Sequence, residues 1–250
     1  ITIIAYLTSF FTAHNFFHNF TLHFIGLAFF IVNFVKDLEV NLPQIKKLFS
    51  ITLVLLIGIY VFKNHDDFAY YHLTYALNLS ESKLIIGTGL FSHGFRTSSS
   101  IFQYHSTLYL PYIKYFLFHS GPFYILIYFN YIILSKLIHK YQNNQFDIIY
   151  FFSLLNFCFV NVVFYRLAEH GTDRSAIIII FLIILLMFQI LENKVLDRIK
   201  FENFIILLTL VVSIKSFYAI YAFLFFIIYF KFFSIKKIFL FINEYKIIHL

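Results

Sequence analysis

The sequence predicts an all-α, polytopic helical membrane protein, and three observations carry that prediction. Of the 250 residues 61% are hydrophobic and 12% charged, with a mean hydropathy of +0.82, which is more apolar surface than a soluble globule of this length can hide. Apolar runs of near-crossing length recur, residues 48–62, 148–165 and 176–191 among them, against the roughly 17 to 25 residues a helix needs for a ~30 Å hydrocarbon core. Lysine and arginine stand at the ends of those runs rather than in one basic stripe, so the formal net charge of +7 is a topology signal and not a nucleic-acid footprint.

The remaining composition bounds the chemistry. The 38 Phe and 19 Tyr, beside no Trp and one Met, match the bias of an AT-rich coding sequence more simply than an aromatic binding surface. Cys158 is alone in an apolar run, which excludes an intrachain disulfide and a thiolate metal site. The chain opens at Ile1 in an apolar run with no basic segment before it, so residues 1–250 read as a single transmembrane domain belonging to a longer protein.

Alternate loops carry the basic excess: Lys36, Lys46 and Lys47; Lys136 and Lys140; Lys194, Arg198 and Lys200; Lys231, Lys236 and Lys237. The positive-inside rule puts these on the cytoplasmic side and turns the outer loops, 63–117 and 166–175, toward the periplasm of a bacterial inner membrane. This parity holds if residues 101–137 cross once. Gln103, Tyr104, His105, Ser106, Pro111 and Lys114 make the first half amphipathic, so residues 98–111 are expected as a helix lying at the interface, and residues 118–137 as the crossing, with Gly121 and Pro122 at its outer entrance. Residues 204–230 hold Lys215 at mid-length, and their basic flanks require two passes that meet outside near it. The first pass, residues 204–214, covers only about 16 Å, so it needs protein or a water-filled cavity around it.

The outer segment 63–100 concentrates Asp66, Asp67, His65, His72, His93 and Arg96 in a chain otherwise poor in such groups. Residues 66–79 mix apolar and polar positions as a helix grazing the membrane does, with Asp66 suited to cap it. Two roles fit the carboxylate pair Asp66 and Asp67: general base on a sugar hydroxyl, or ligands for a divalent cation that also grips a phosphate. The histidines match no zinc-ligand spacing and are expected as hydrogen-bonding groups, one of them a proton shuttle. The second outer loop offers Arg166, Glu169, Asp173 and Arg174. With Arg96 and Lys215 its cations suit a phosphate or diphosphate. The alternative is a self-neutralising network, Arg166 with Glu169 and Asp173 with Arg174, which is worth little at a wet surface.

An ordered set of residues now becomes informative: Asp67, Tyr71, His72 and Leu73; Gly89, His93, Gly94 and Arg96; Ser98, Ser99 and Ser100; Gly171, Thr172 and Asp173; Ser213, Ile214 and Lys215. Spread over residues 66–230, this set resembles a group of bacterial polytopic membrane proteins that is itself similar to the GT-C superfamily of integral membrane glycosyltransferases. The resemblance implies a polyprenyl-phosphate-linked sugar donor entering from the bilayer, a saccharide or lipid acceptor arriving from the outer aqueous side, and Asp66 or Asp67 as base or metal ligand. It departs from the superfamily in having at least two apolar segments before the acidic loop.

Three functions follow as expectations. The first is an inverting glycosyltransferase of the cell envelope, with Asp67 or Asp66 as base and His72, His93, Arg96, Arg166, Glu169, Asp173, Arg174 and Lys215 binding substrate and phosphate. The second is a flippase or transporter of a lipid-linked or acidic saccharide, built on the same charges. The third is a non-catalytic subunit of a membrane complex.

Overall fold

The computed structural model describes residues 2–36, 38–59, 66–91, 93–96, 98–118, 120–164 and 171–232. Among them the regular elements are helices: α1 Thr2–Ser9, α2 Phe16–Lys36, α3 Leu38–Leu55, α4 Leu73–Glu81, α5 Ser100–Ser106, α6 Ser120–Gln142, α7 Ile148–Val163, α8 Thr172–Glu192, α9 Arg198–Ile214 and α10 Phe223–Phe232. Short 3-10 turns join several of them, and a π-helical turn, Phe68–His72, leads into α4. Three segments are long and apolar enough to cross a membrane, Phe16–Lys36, Tyr115–Gln142 and Thr172–Glu192, with shorter apolar helices at Ile148–Val163 and Ser216–Phe232.

The helix α8 contains four consecutive isoleucines, a poor choice for a helix in water because β-branched side chains lose rotamer freedom. In hydrocarbon the argument reverses, since every backbone group must find its partner within the segment. This helix is the hub. Its Ile178, Leu182 and Leu185 pack with Phe129, Ile133 and Ile149 of α6 and α7, while its Ile179, Ile183 and Ile190 pack with Phe204 and Val211 of α9 and Ile228 of α10. By contrast α2 is only 6% buried over its most apolar window and presents its surface outward.

Polar groups fix the register. On α6 and α7, Asn130 and Asn161 exchange amide hydrogen bonds, Asn130 Nδ2 to Asn161 Oδ1 at 3.1 Å and Asn161 Nδ2 to Asn130 Oδ1 at 2.7 Å, with Asn130 fully buried. Asp147 caps α7, accepting from the Tyr150 amide at 3.0 Å, and ion-pairs with Lys140 near the end of α6. Desolvation alone would raise the Asp147 carboxyl, but the hydrogen bonds from Lys140 and the Tyr150 amide outweigh it and hold the carboxyl below its ordinary range. Pro122 lies in the first turn of α6, where its missing N–H costs no helical bond.

The two ends of the bundle differ. At one end Lys47 donates to Ser135 Oγ at 2.6 Å, and Lys140 reaches Asp147 and, at 4.0 Å, Glu192. This gathers three of the lysine-bearing junctions that the charge pattern assigned to one side. The other end carries the start of α8, the end of α9 and the helix α5.

Three local expectations are revised. Asp66 does not cap a helix, because it already lies within the helical turn, and Asp67 precedes the π-turn with helical dihedrals (φ −63°, ψ −20°) and no side-chain cap bond. The segment expected as a surface helix at 98–111 is helical over only Ser100–Ser106 and is buried, with Ile101, Phe102, Gln103, His105 and Ser106 all covered. It is a plug and not a float, because α1 and α4 close over it. Finally, α9 is 17 residues and not 11, since Asp197 caps it before Arg198 by accepting from the Lys200 amide at 3.2 Å.

The amide pair yields a measurable expectation. Replacing Asn161 with Leu leaves buried Asn130 with the Leu126 carbonyl alone, and should lower unfolding free energy in detergent by about 1 kcal/mol, with much of the loss recovered in the Asn130→Leu/Asn161→Leu double variant.

Candidate functional site

The polar end is assembled around the π-turn. A π-turn widens a helix by one residue and recurs at functional sites; here it swings Tyr71 and His72 toward the rest of the bundle. The His72 ring is buried, 4.9 Å from the Phe102 ring and 4.3 Å from Tyr71. A Cβ placed on Gly171 would lie 3.2 Å from His72 Cε1, so the segment carrying the π-turn rests directly on the backbone that begins α8. Gly94 serves the same turn from the other side. A Cβ there would stand 2.5 Å from Tyr71 Cβ, which makes glycine obligatory for that close approach.

Asp173, in the first turn of α8, meets Lys215, just past the end of α9. The Lys215 Nζ to Asp173 Oδ2 distance is 2.5 Å, and Tyr218 donates its hydroxyl to Asp173 Oδ1 at 3.2 Å. The side chains of Lys215 and Asp173 are 38% and 50% exposed, so this is a wet pair of small stabilising value. It gives Lys215 the anionic partner that a cation between two apolar runs needs. Beside it, Ser100 Oγ and Ser213 Oγ are 2.8 Å apart, joining α5 to α9.

These groups border a cleft of about 510 Å³ lined by Tyr71, Arg96, Ser98, Ser99, Ser100, Thr172, Ser213 and Lys215, together with Tyr6 and Phe217. Arg96 is exposed and oriented by its own Nε donating to Gly89 O at 3.1 Å. Side chains separated by more than 100 residues therefore share one hollow.

The predicted residues divide accordingly. Arg96 and Lys215 line the cleft, and Asp173 reaches it through Lys215. His72 packs behind Tyr71. Asp67 is half-buried and Arg174 follows Asp173 in α8, neither of them in the lining. Asp66 and His93 are exposed and stand outside it. Arg166 and Glu169, like His65, lie outside the described residues. Asp173 takes Lys215 as its ion-pair partner, in place of the local pairing with Arg174 that the sequence offered. For a divalent cation, Asp66 and Asp67 supply two carboxylates, and among the described residues no group of three or more His, Cys, Asp or Glu comes together.

A second polar assembly was not foreseen. His14 and His18 stack with ring centroids 4.5 Å apart and planes 6° from parallel. Thr8 Oγ1 bridges them, 3.1 Å from His14 Nε2 and 2.9 Å from His18 Nε2, while His14 Nδ1 lies 2.6 Å from Ser106 Oγ. Asn19 shares its amide hydrogens among the carbonyls of His14, Ser106 and Tyr109 at 2.7 to 2.9 Å. Its Oδ1 is therefore the acceptor for His18 Nδ1 at 3.0 Å, which fixes the tautomer: a neutral His18 carries its proton on Nδ1 and takes the Thr8 hydroxyl on Nε2. The Ser106 hydroxyl donates to the Gln103 carbonyl at 2.8 Å. This network ties the α1–α2 corner to the end of α5. The close sequence spacing of His14, just before α2, and of His18 and Asn19, in its first turns, was the available signal.

No family model, curated protein or solved structure matches the chain.

Burial, and then the neighbouring His18, lowers His14 from 6.5 to about 4. Between those values the unfolded chain binds a proton that the folded chain refuses, so stability should fall as pH drops through that window. Thermal unfolding of wild type and His14→Gln between pH 7 and pH 4 should show the steeper decline in wild type; equal slopes would remove His14 as the cause.

Proposed function

We propose that the chain is a GT-C-like membrane glycosyltransferase, moving a sugar from a polyprenyl-phosphate-linked donor to a saccharide or lipid acceptor at the periplasmic face of a bacterial inner membrane. The observation that supports this most directly is the convergence of Arg96 and Lys215, the latter paired with Asp173, from distant segments on one solvated cleft at the end of the bundle opposite the lysine-rich junctions.

In this reading the acceptor hydroxyl attacks the anomeric carbon of the donor. The bond from that carbon to the phosphate oxygen breaks, and the lipid phosphate leaves with the electron pair. The hydroxyl proton passes to a carboxylate, and Asp67 is the better base of the acidic pair: it is half-buried and one π-turn from Tyr71 in the cleft wall, whereas Asp66 is exposed. Charge grows on the departing phosphate, where Arg96 offers a planar fork of donors and Lys215 a compact cation. Lys215 is free to serve because its ion pair is wet and weak, so a phosphate can replace Asp173 as its partner at small cost. The serines at the cleft rim supply neutral donors to the sugar or phosphate oxygens.

A flippase of lipid-linked saccharide is the second reading, and one feature favours it. The pass from Ser216 to Phe232 starts as a 3-10 helix immediately after Lys215, and interrupted helices beside a charged site are a transporter pattern.

With the full chain in lipid and a labelled polyprenyl-phosphate sugar, Asp67→Asn should reduce transfer by about 100-fold or more, the scale of a lost general base, without loss of expression. Undiminished transfer by the Asp66→Asn/Asp67→Asn variant removes these carboxylates from the chemistry. Lys215→Met should raise the KM for donor while shifting stability by less than about 1 kcal/mol. Donor crossing sealed vesicles with no transfer to any acceptor supports the flippase instead.

A further inference from the structure

Directly behind the polar cleft lies a second cavity of about 320 Å³, with walls of different chemistry. Ile101, Ile125, Leu182, Leu207 and Leu210 make it apolar, and Tyr104, Tyr124 and Tyr128 form one side. Ser100 and Ile214 belong to the lining of both cavities. The Ser100–Ser213 contact thus stands at a threshold, with cations on one side and hydrocarbon on the other. Gly121 lets α5 and α6 approach closely at the chamber wall, because a Cβ there would meet His105 Nε2 at 2.5 Å and Tyr104 Cδ1 at 3.2 Å. Tyr124 and Tyr128, one turn apart on α6, are 52% and 55% exposed on the outer flank of that helix, which gives the chamber a sideways opening at α6.

We propose that this chamber holds the phosphate-proximal segment of the hydrocarbon chain of a single-chain lipid phosphate, whose phosphate rests at the Ser100–Ser213 threshold beside Lys215. Three arguments carry the assignment. An apolar cavity of even ~150 Å³ stays dry and takes up hydrocarbon, so water is the wrong occupant of a larger one within a membrane-spanning bundle. The chamber joins the cleft at one threshold, which fits one chain and not two. The charge beyond that threshold, Arg96 and Lys215, is complementary to a phosphate and would not draw a neutral lipid inward. The rest of the chain leaves past Tyr124 and Tyr128 into the bilayer. The proposal rests on reading the cleft as a phosphate site, and it adds which part of the protein measures the lipid.

The test uses the full chain in nanodiscs and a long-chain isoprenyl monophosphate with a photoactivatable group close to the phosphate. Labelling should fall on α6, α8 and α9 residues of the chamber wall, and Leu210→Trp, which narrows the chamber from a half-buried position, should weaken probe binding by about tenfold or more with an unchanged unfolding temperature. Ile125→Trp, also half-buried, provides a second filling variant on another helix should the first fail to fold. Competition by phosphatidic acid, which has two chains, should be weak, and inorganic phosphate, which lacks the chain, should compete only at far higher concentration than the lipid phosphate. Wild-type affinity in both filling variants, labels confined to other surfaces, or equal competition by phosphatidic acid overturns the proposal. Chamber labelling without any sugar transfer would leave this site standing and end the transferase reading. Sugar transfer with a donor KM unmoved by Leu210→Trp would do the reverse.

Discussion

The structure depends on a constraint that operates only outside water: for this chain, burying an apolar side chain against protein gains little over leaving it in lipid. A sequence 61% hydrophobic cannot use hydrophobicity to decide which helices touch, since lipid tails offer nearly the same environment. What decides is close packing and the need of each polar group for a partner. The buried isoleucine faces of α8 supply the first. The second comes from a small number of polar contacts at defined depths: the Asn130–Asn161 exchange within the bundle, Lys140 with Asp147 at one end, and Ser100–Ser213 with Lys215–Asp173 at the other. With these removed, the same helices would retain their hydropathy and lose their arrangement.

That constraint also explains why the polar end is a cleft and not a filled corner. Helices that stop at different heights leave backbone ends and side chains in need of water. Here α9 stops at Ile214, α8 starts at Thr172, and the π-turn and α5 fill the space between without sealing it. The short plug α5 links the two polar assemblies of this end. Its first residue, Ser100, meets Ser213 at the cleft, and its last, Ser106, meets His14 in the histidine network. The seven residues of this helix thus connect the His14–His18 stack with the rim where Lys215 stands.

How much of this was legible in the sequence varies with the range of the interaction involved. The helical membrane character, the lysine-bearing junctions and the polar segments at 63–100 and 171–173 follow from composition and charge order, which are local properties. The approach of Asp173 to Lys215 was legible as a shared side of the membrane, because positive-inside parity turns one-dimensional order into a side. The choice of Lys215 over Arg174 as partner for Asp173 was not, since it depends on how closely the end of α9 packs on α8. The burial of α5 escaped for a related reason. Its amphipathic pattern is correct for an interfacial helix, and only the return of Ser9 and His14 to the ends of Leu84 and Leu79, through backbone bonds of 2.7 Å each, covers its second face. Asp66 looked like a cap because aspartate before an apolar stretch usually is one; it is instead itself helical.

The weakness of the Lys215–Asp173 pair is the feature that most separates a working site from a structural fastening. A buried, dry pair would lock both groups, since withdrawing either partner strands the other's charge. A pair exposed by 38% and 50% pays little to open, and Tyr218 remains as a hydrogen-bond donor to Asp173 when Lys215 turns away. Asp173 is thus already provided with a second partner, while Lys215 is free to follow an anion into the cleft. The same logic applies to Arg96, which lines the cleft and whose Nε donates to Gly89 O. Arg96 and Lys215, each in an exposed contact near the mouth of an apolar chamber, are the electrostatic complement that the proposed phosphate would meet.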